Sequence, residues 1–205
     1  MSRVSSLRIA APALFLGVVA IASSVVGVSG ASTLPAVAAA GPAKTVTGAL
    51  ITRTPGTLAP GTKVSSSALG QRSFTDSKHG FALAGVGQAQ YPAATTDTGK
   101  TWRTDGPALH LDAAQAPLSV LDLGAANRKT IFAYGGGQVI DATGDGGKHW
   151  YRAIFDGLTM AVVRNSLGHL VGFIDGGTGA KGPTWQYVSK NGGRTWRYDT
   201  KVGGS

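Results

Sequence analysis

The chain has 205 residues, a net charge of +9, 31 glycines, no cysteine and no glutamate. Without cysteine there is neither a disulfide framework nor a thiol-linked lipid anchor. Abundant glycine with few long helix formers argues against helices and for an all-β chain, and the low charge content argues against a disordered polyelectrolyte.

Residues 1–40 read as a signal peptide or an N-terminal anchor. Arg3 and Arg8 form a basic start, and Ile9 to Val28 is a run of apolar and small residues. Small-residue triplets at 36–38 and 38–40 fit a secretory cleavage site, which favours removal and export, secreted or to the cell envelope. If the run is retained, it is long enough to hold a membrane, and membrane contact is expected only through it. Removing Arg3 and Arg8 from the 19 Lys/Arg leaves 17 against 10 Asp, a balance of +7. That balance suits an anionic or cell-surface glycan, or serves solubility. The basic residues are scattered rather than clustered, and no nucleic acid partner is expected.

Residues 41–70 form a linker and lead-in rich in Thr, Ser, Pro and Gly. Val46 to Thr52 is predicted as a strand, and Pro55 to Gly61 as turns. Residues 71–205 are then organised by one octamer that occurs three times. It reads TTDTGKTW at 95–102, TGDGGKHW at 143–150 and SKNGGRTW at 189–196. Repeats at such spacing point to an architecture of stacked units. Repeat one is predicted to have strands at 72–75, 81–85, 88–96 and 101–104. Repeat two has them at 118–123, 130–134, 138–142 and 150–155. Repeat three has them at 159–164, 169–174, 184–189 and 195–198. The 175–183 segment is the longest loop within a repeat.

Each octamer position has a mechanical reason. Asp97, Asp145 and Asn191 accept backbone N–H bonds in an Asx turn. Gly99, Gly147 and Gly193 allow a positive φ without cost. Thr95, Thr143 and Ser189 add a hydroxyl across the turn, Thr101, His149 and Thr195 close it, and Trp102, Trp150 and Trp196 bury a ring behind it. A calcium-loop reading fails for want of alternating ligands and a closing Glu, so no metal is expected.

The octamer resembles the Asp-box, or bacterial neuraminidase repeat. That family includes sialidases, sortilin-type receptors, some endoglucanases and the photosystem II stability/assembly factor-like proteins. SFTDSKHGFALAG at 73–85, LDLGAANRKTIFAYGGG at 121–137 and VVRNSLGHLVGFIDGG at 162–177 resemble the segments that lead each repeat in the assembly-factor group. The resemblance implies β-propeller blades, with the box as the turn before the outermost strand. Three blades make a partial or open propeller. Two readings of its completion stand: pairing of two chains as a homodimer, or capping by the lead-in strand.

Enzyme chemistry has little support. The resemblance to sialidases implies a Tyr–Glu pair, which a chain without Glu does not supply, and a glycosidase needs two placed carboxylates. Asp97 and Asp145 are used by box turns, and the other eight Asp sit at expected turns or strand ends. The four histidines show no metal spacing. No P-loop, dinucleotide or nucleophile-elbow motif is present, so no catalytic residue and no cofactor is nominated. An exported non-catalytic binding or scaffold module, contacting a protein partner or cell-surface glycan, fits best. A sialidase-like glycoside hydrolase is the alternative. Candidate ligand contacts are Arg72, Arg128 and Arg164, each near the first strand or first turn of a repeat; the alternative is three unrelated surface arginines. Trp185 and Tyr187 are two residues apart on one strand and therefore share a face. Beside the 175–183 loop they are a candidate platform for a sugar ring or a partner protein; the alternative is that both rings fill the space between neighbouring sheets.

Overall fold

Apolar alternation between glycine-rich turns makes nearly every ordered element a strand. The computed structural model describes residues 41–111, 122–176 and 182–202, all within one unit, Ala40–Ser205. The lead-in carries β1 (Thr45–Thr47), β2 (Ala49–Leu50) and β3 (Lys63–Val64), then a single 3-10 turn at Ser66–Ala68. Repeat one supplies β4 (Leu69–Phe74), β5 (Gly80–Val86), β6 (Ala89–Thr95) and β7 (Trp102–Thr104). Repeat two supplies β8 (Asp122–Ala125), β9 (Ile131–Tyr134), β10 (Val139–Thr143) and β11 (Tyr151–Ile154). Repeat three supplies β12 (Leu158–Arg164), β13 (Leu170–Asp175), β14 (Thr184–Ser189) and β15 (Thr195–Val202).

Each repeat folds into one antiparallel, propeller-type blade. Blade 1 has strand order β3-β7-β6-β5-β4, blade 2 has β2-β11-β10-β9-β8, and blade 3 has β1-β15-β14-β13-β12. Part of the first strand expected in repeat two (118–121) and part of the 175–183 loop (177–181) lie outside the described residues.

The lead-in corrects a sequence expectation. One strand was expected at 46–52; three short ones form, and each adds to the outermost strand of a different blade. Thr45 pairs with Arg197 on blade 3, Leu50 with Tyr151 on blade 2, and Val64 with Trp102 on blade 1. The segment thus crosses the blades in reverse chain order, as a strap. The alternation of the strap also serves the core. Val46 packs on the cluster between blades 2 and 3, Ile51 on that between blades 1 and 2, and Val64 and Leu58 on the far side of blade 1.

Blade 2 stands between the other two. Phe81 and Leu83 of blade 1 meet Ile131, Leu123 and Trp150 of blade 2. Phe132 and Ile140 of blade 2 meet Leu170, Ile174 and Trp196 of blade 3. The stack therefore has a direction. Each box Trp faces back, towards the preceding blade, or in blade 1 towards the strap. The residue just before each box faces forward: Ala94 and Ala142 towards the next blade, and Val188 away from blade 2. Burial of these rings is the main favourable term, worth roughly 1.5–3 kcal/mol per large side chain removed from water.

Candidate functional site

The three octamers close on the same set of bonds. In box one, Thr95 Oγ1 donates to Asp97 Oδ1 (2.7 Å), while Gly99 N donates to Thr95 Oγ1 (3.0 Å) and Thr101 N to Asp97 Oδ1 (2.9 Å). In box two the matching distances, through Thr143, Asp145, Gly147 and His149, are 2.8, 3.2 and 3.0 Å. In box three, through Ser189, Asn191, Gly193 and Thr195, they are 3.2, 2.9 and 3.0 Å. Gly99, Gly147 and Gly193 sit at φ of 81°, 85° and 87°. His149 stands in for threonine by placing Nδ1 2.6 Å from Asp145 Oδ2.

These turns engage their own carboxylates. The Thr101 backbone bond, then its hydroxyl and that of Thr95, hold Asp97 at a pKa of about 2. For Asp145, burial pulls upward, but bonds from His149 and Thr143 prevail and hold it at about 2 as well. Trp102, Trp150 and Trp196 are buried. Trp102 Nε1 donates to Gly99 O (3.0 Å) and Trp150 Nε1 to Asp105 O (3.2 Å), whereas Trp196 Nε1 is buried without a hydrogen-bond partner. Boxes and rings are thus committed to the fold.

The nominated aromatic pair moves into the core, and this corrects the expectation of a platform. Trp185 and Tyr187 do share a face, but it is the one that meets blade 2. Tyr187 stacks edge-on against Phe155 at 5.0 Å and donates its hydroxyl to Ala43 O at 3.0 Å. Neither ring offers a surface to a ligand.

The three arginines part company. Arg72 lies with its guanidinium 5.9 Å from the Trp102 ring centre and bonds Ser66 O, on the strap side of blade 1. Arg128 and Arg164 come together instead. They line a cavity of about 360 Å³ with Phe74, Thr75, Asp76 and Asn127. All three blades contribute, because the cavity sits among their first hairpin turns.

Those turns share a device that the sequence reading passed over. Asp76 Oδ1 accepts from Lys78 N and His79 N, each at 2.9 Å. Asn127 Oδ1 accepts from Lys129 N and Thr130 N, and Asn165 Oδ1 from Leu167 N and His169 N. An Asp or Asn opens the first hairpin of every repeat, and that recurrence was the available signal. The same turn geometry holds the cavity rim. Arg128 Nε donates to Asp76 Oδ2 at 2.9 Å, and Arg164 donates to Ala126 O at 2.8 Å. The His79 side chain, two backbone N–H groups and Arg128 hold Asp76 well below the ordinary carboxylate range. Phe74, 48% exposed, borders the cavity but packs its ring edge-on against Trp102 at 6.1 Å, on the strap side of blade 1. The cavity therefore offers cationic donors, with its single carboxylate already engaged by Arg128.

A second concavity, about 610 Å³, lies on blade 3 and is lined by Leu167, His169, Val188, Lys190, Arg197 and Asp199 among others. Among the described residues, no cluster of three or more His, Cys, Asp or Glu is placed to hold a metal ion. Among them too, no helix is long and apolar enough to cross a membrane.

No protein-family model matches the sequence, and no curated protein matches it. Among solved structures, the chain is similar to one titled "YCF48 bound to D1 peptide", with 16% identity and a TM-score of 0.33, over 64% of this chain and 54% of that one. The chain spans about half the length of that protein.

Proposed function

We propose that the chain is an exported, non-catalytic binding module of the Asp-box kind, and that it contacts a protein partner or a cell-surface glycan at the cavity among its three first turns. The carrying observation is the meeting there of Arg128 and Arg164, which come from two different blades. Arginine is among the residues that carry most of the energy at binding hot spots. The partner group it suits is anionic, because Asp76 is already satisfied and the arginines hold the remaining donors. One engaged carboxylate is not the pair that glycoside hydrolysis uses. The threefold bond pattern of the boxes supports the family, and the basic, apolar, small-residue start supports export.

The test is an array that carries acidic and neutral peptides beside carboxylated and neutral glycans, probed with the full chain. Retention on acidic features is expected, falling at least tenfold in Arg128→Ala/Arg164→Ala at nearly unchanged melting temperature. Retention indifferent to these substitutions, or release of cleaved glycan from the array, would remove the reading.

A further inference from the structure

The two ends of the stack are finished differently. On the outer side of blade 1, Ala82, Ala84, Tyr91, Ala93 and Trp102 are at most 4% exposed. The strap covers them: Leu58 and Val64 pack there, Tyr91 Oη accepts from Leu58 N, and Thr104 Oγ1 donates to Ala59 O. On blade 3 the corresponding forward face has no lead-in strand over it; Val171 at its centre is 6% exposed, and its β12 side is open. Val163, Val171, Val188 and Arg197 form one row across it, and Ala161, Phe173 and Gln186 form a row on the same face. Met160, Val163 and Leu167 on this side are 59%, 44% and 75% exposed.

We infer that this face is an interface between two copies of the chain, packed sheet on sheet about a twofold axis. Two observations choose that occupant. First, among the described residues this is the sheet face with no lead-in strand over it, so a second copy that docks through its own such face uses the same patch. Contact of a patch with itself is isologous and closes as a dimer rather than growing into a fibre.

Second, the charges are self-complementary. Arg197 and Lys190 lie towards the box end of β15 and β14. Asp199, which accepts from Gln186 Nε2 at 2.8 Å, lies further down β15 on the same groove. A twofold axis across the strands, passing over Tyr198, turns one copy end for end and lays β15 on β15. It sets Arg197 of each copy against Asp199 of the other, with Val163, Val171 and Phe173 packed beside these pairs. An axis along β15 would instead set Arg197 on Arg197 and Asp199 on Asp199, which opposes association. One small sheet face makes a weak dimer, in the micromolar range.

This goes beyond the binding reading above, and the two fail separately because Arg128 lies on blade 2 and Arg164 turns towards Ala126 of blade 2, off this face. The test is sedimentation of the full chain from about 1 to 100 μM, as wild type, Arg197→Asp and Asp199→Arg, each alone and then mixed. Wild type should form a concentration-dependent dimer. Each single variant should lose it at least tenfold, since its self-contact becomes Asp on Asp or Arg on Arg. The equimolar mixture should recover it, since both cross pairs are then opposite in sign. Association through residues 9–28 would be common to every sample and could not produce this complementation. A wild type that stays monomeric, or variants that dimerise as well as wild type, would overturn the inference. So would a mixture that recovers nothing.

Discussion

Gly192 lies backbone to backbone against Gly144, so that a Cβ on Gly192 would collide with the Gly144 chain. The second and third box turns thus touch without any side chain between them. This contact sets how closely blade 3 approaches blade 2 and therefore whether Phe132, Ile140 and Trp196 can close their cluster.

Substitution at that contact should separate two effects. Gly192 has φ +65° and Gly168 has φ +79°, but nothing lies within 4 Å of a Cβ on Gly168. Gly168→Ala should cost only the left-handed strain of an L-residue, about 1–2 kcal/mol. Gly192→Ala adds an overpacking term of about 1–3 kcal/mol. Urea melts of the two variants measure the difference. Equal losses would show that the turns do not set the blade spacing.

The nominated aromatic pair gives a second comparison. Trp102 and Trp185 are 1% and 7% exposed, in different clusters. Truncation of either to Ala should cost roughly 3–5 kcal/mol, the range for a large buried ring. The melting temperature of Trp185→Ala decides it. A value close to wild type would return Trp185 to the surface.

Asp141 and Arg152 give a third. Asp141 is fully buried, and Arg152 meets it with two bonds of 2.8 and 2.6 Å across β10 and β11. Removal of the arginine leaves a buried carboxylate alone, so Arg152→Ala should lose about 3–5 kcal/mol. Asp141→Leu/Arg152→Met should recover most of that, because a buried ion pair adds little over a well-packed apolar one. If the double variant is as unstable as the single one, packing around Arg152 matters more than the charge.

What the sequence made legible follows from range. The boxes are local: each bonds within itself, so eight residues carry their own geometry, and a regular spacing reports the blades. The strap is the opposite case. β2 and β3 are two residues long and too short for any alternation, and their partners Tyr151 and Trp102 are some 100 and 38 positions downstream. Nothing within residues 45–64 names those partners. Trp185 and Tyr187 fall between. Alternation along β14 says that they share a face, but only the packing of blade 2 says which face is covered. Arg128 and Arg164 meet because the first turns of neighbouring blades converge, a relation of stacking and not of sequence.

Asp105 carries a pH dependence opposite to that of the box carboxylates. Its backbone carbonyl accepts the Trp150 indole N–H, and its carboxyl is packed against Gly147 of box two. Burial there raises its pKa from 3.8 to about 6. A raised carboxyl binds its proton more tightly in the folded chain, so folding is most favoured below pH 3.8 as far as this group is concerned. That advantage is lost as pH rises through 6, and above it the charged form opposes folding. Asp97 and Asp145, held at about 2, do the reverse and withdraw support as pH falls from 3.8 towards 2. Asp105→Asn keeps the shape and removes the charge. It should raise stability at pH 7.5 by about 1–2 kcal/mol, discounted from the full shift for partial exposure. The gain should shrink through pH 6 and vanish below pH 4. Melting curves of both proteins at several pH values measure it, and a gain that does not vary with pH would mean that the Asp105 carboxyl is solvated rather than buried against box two.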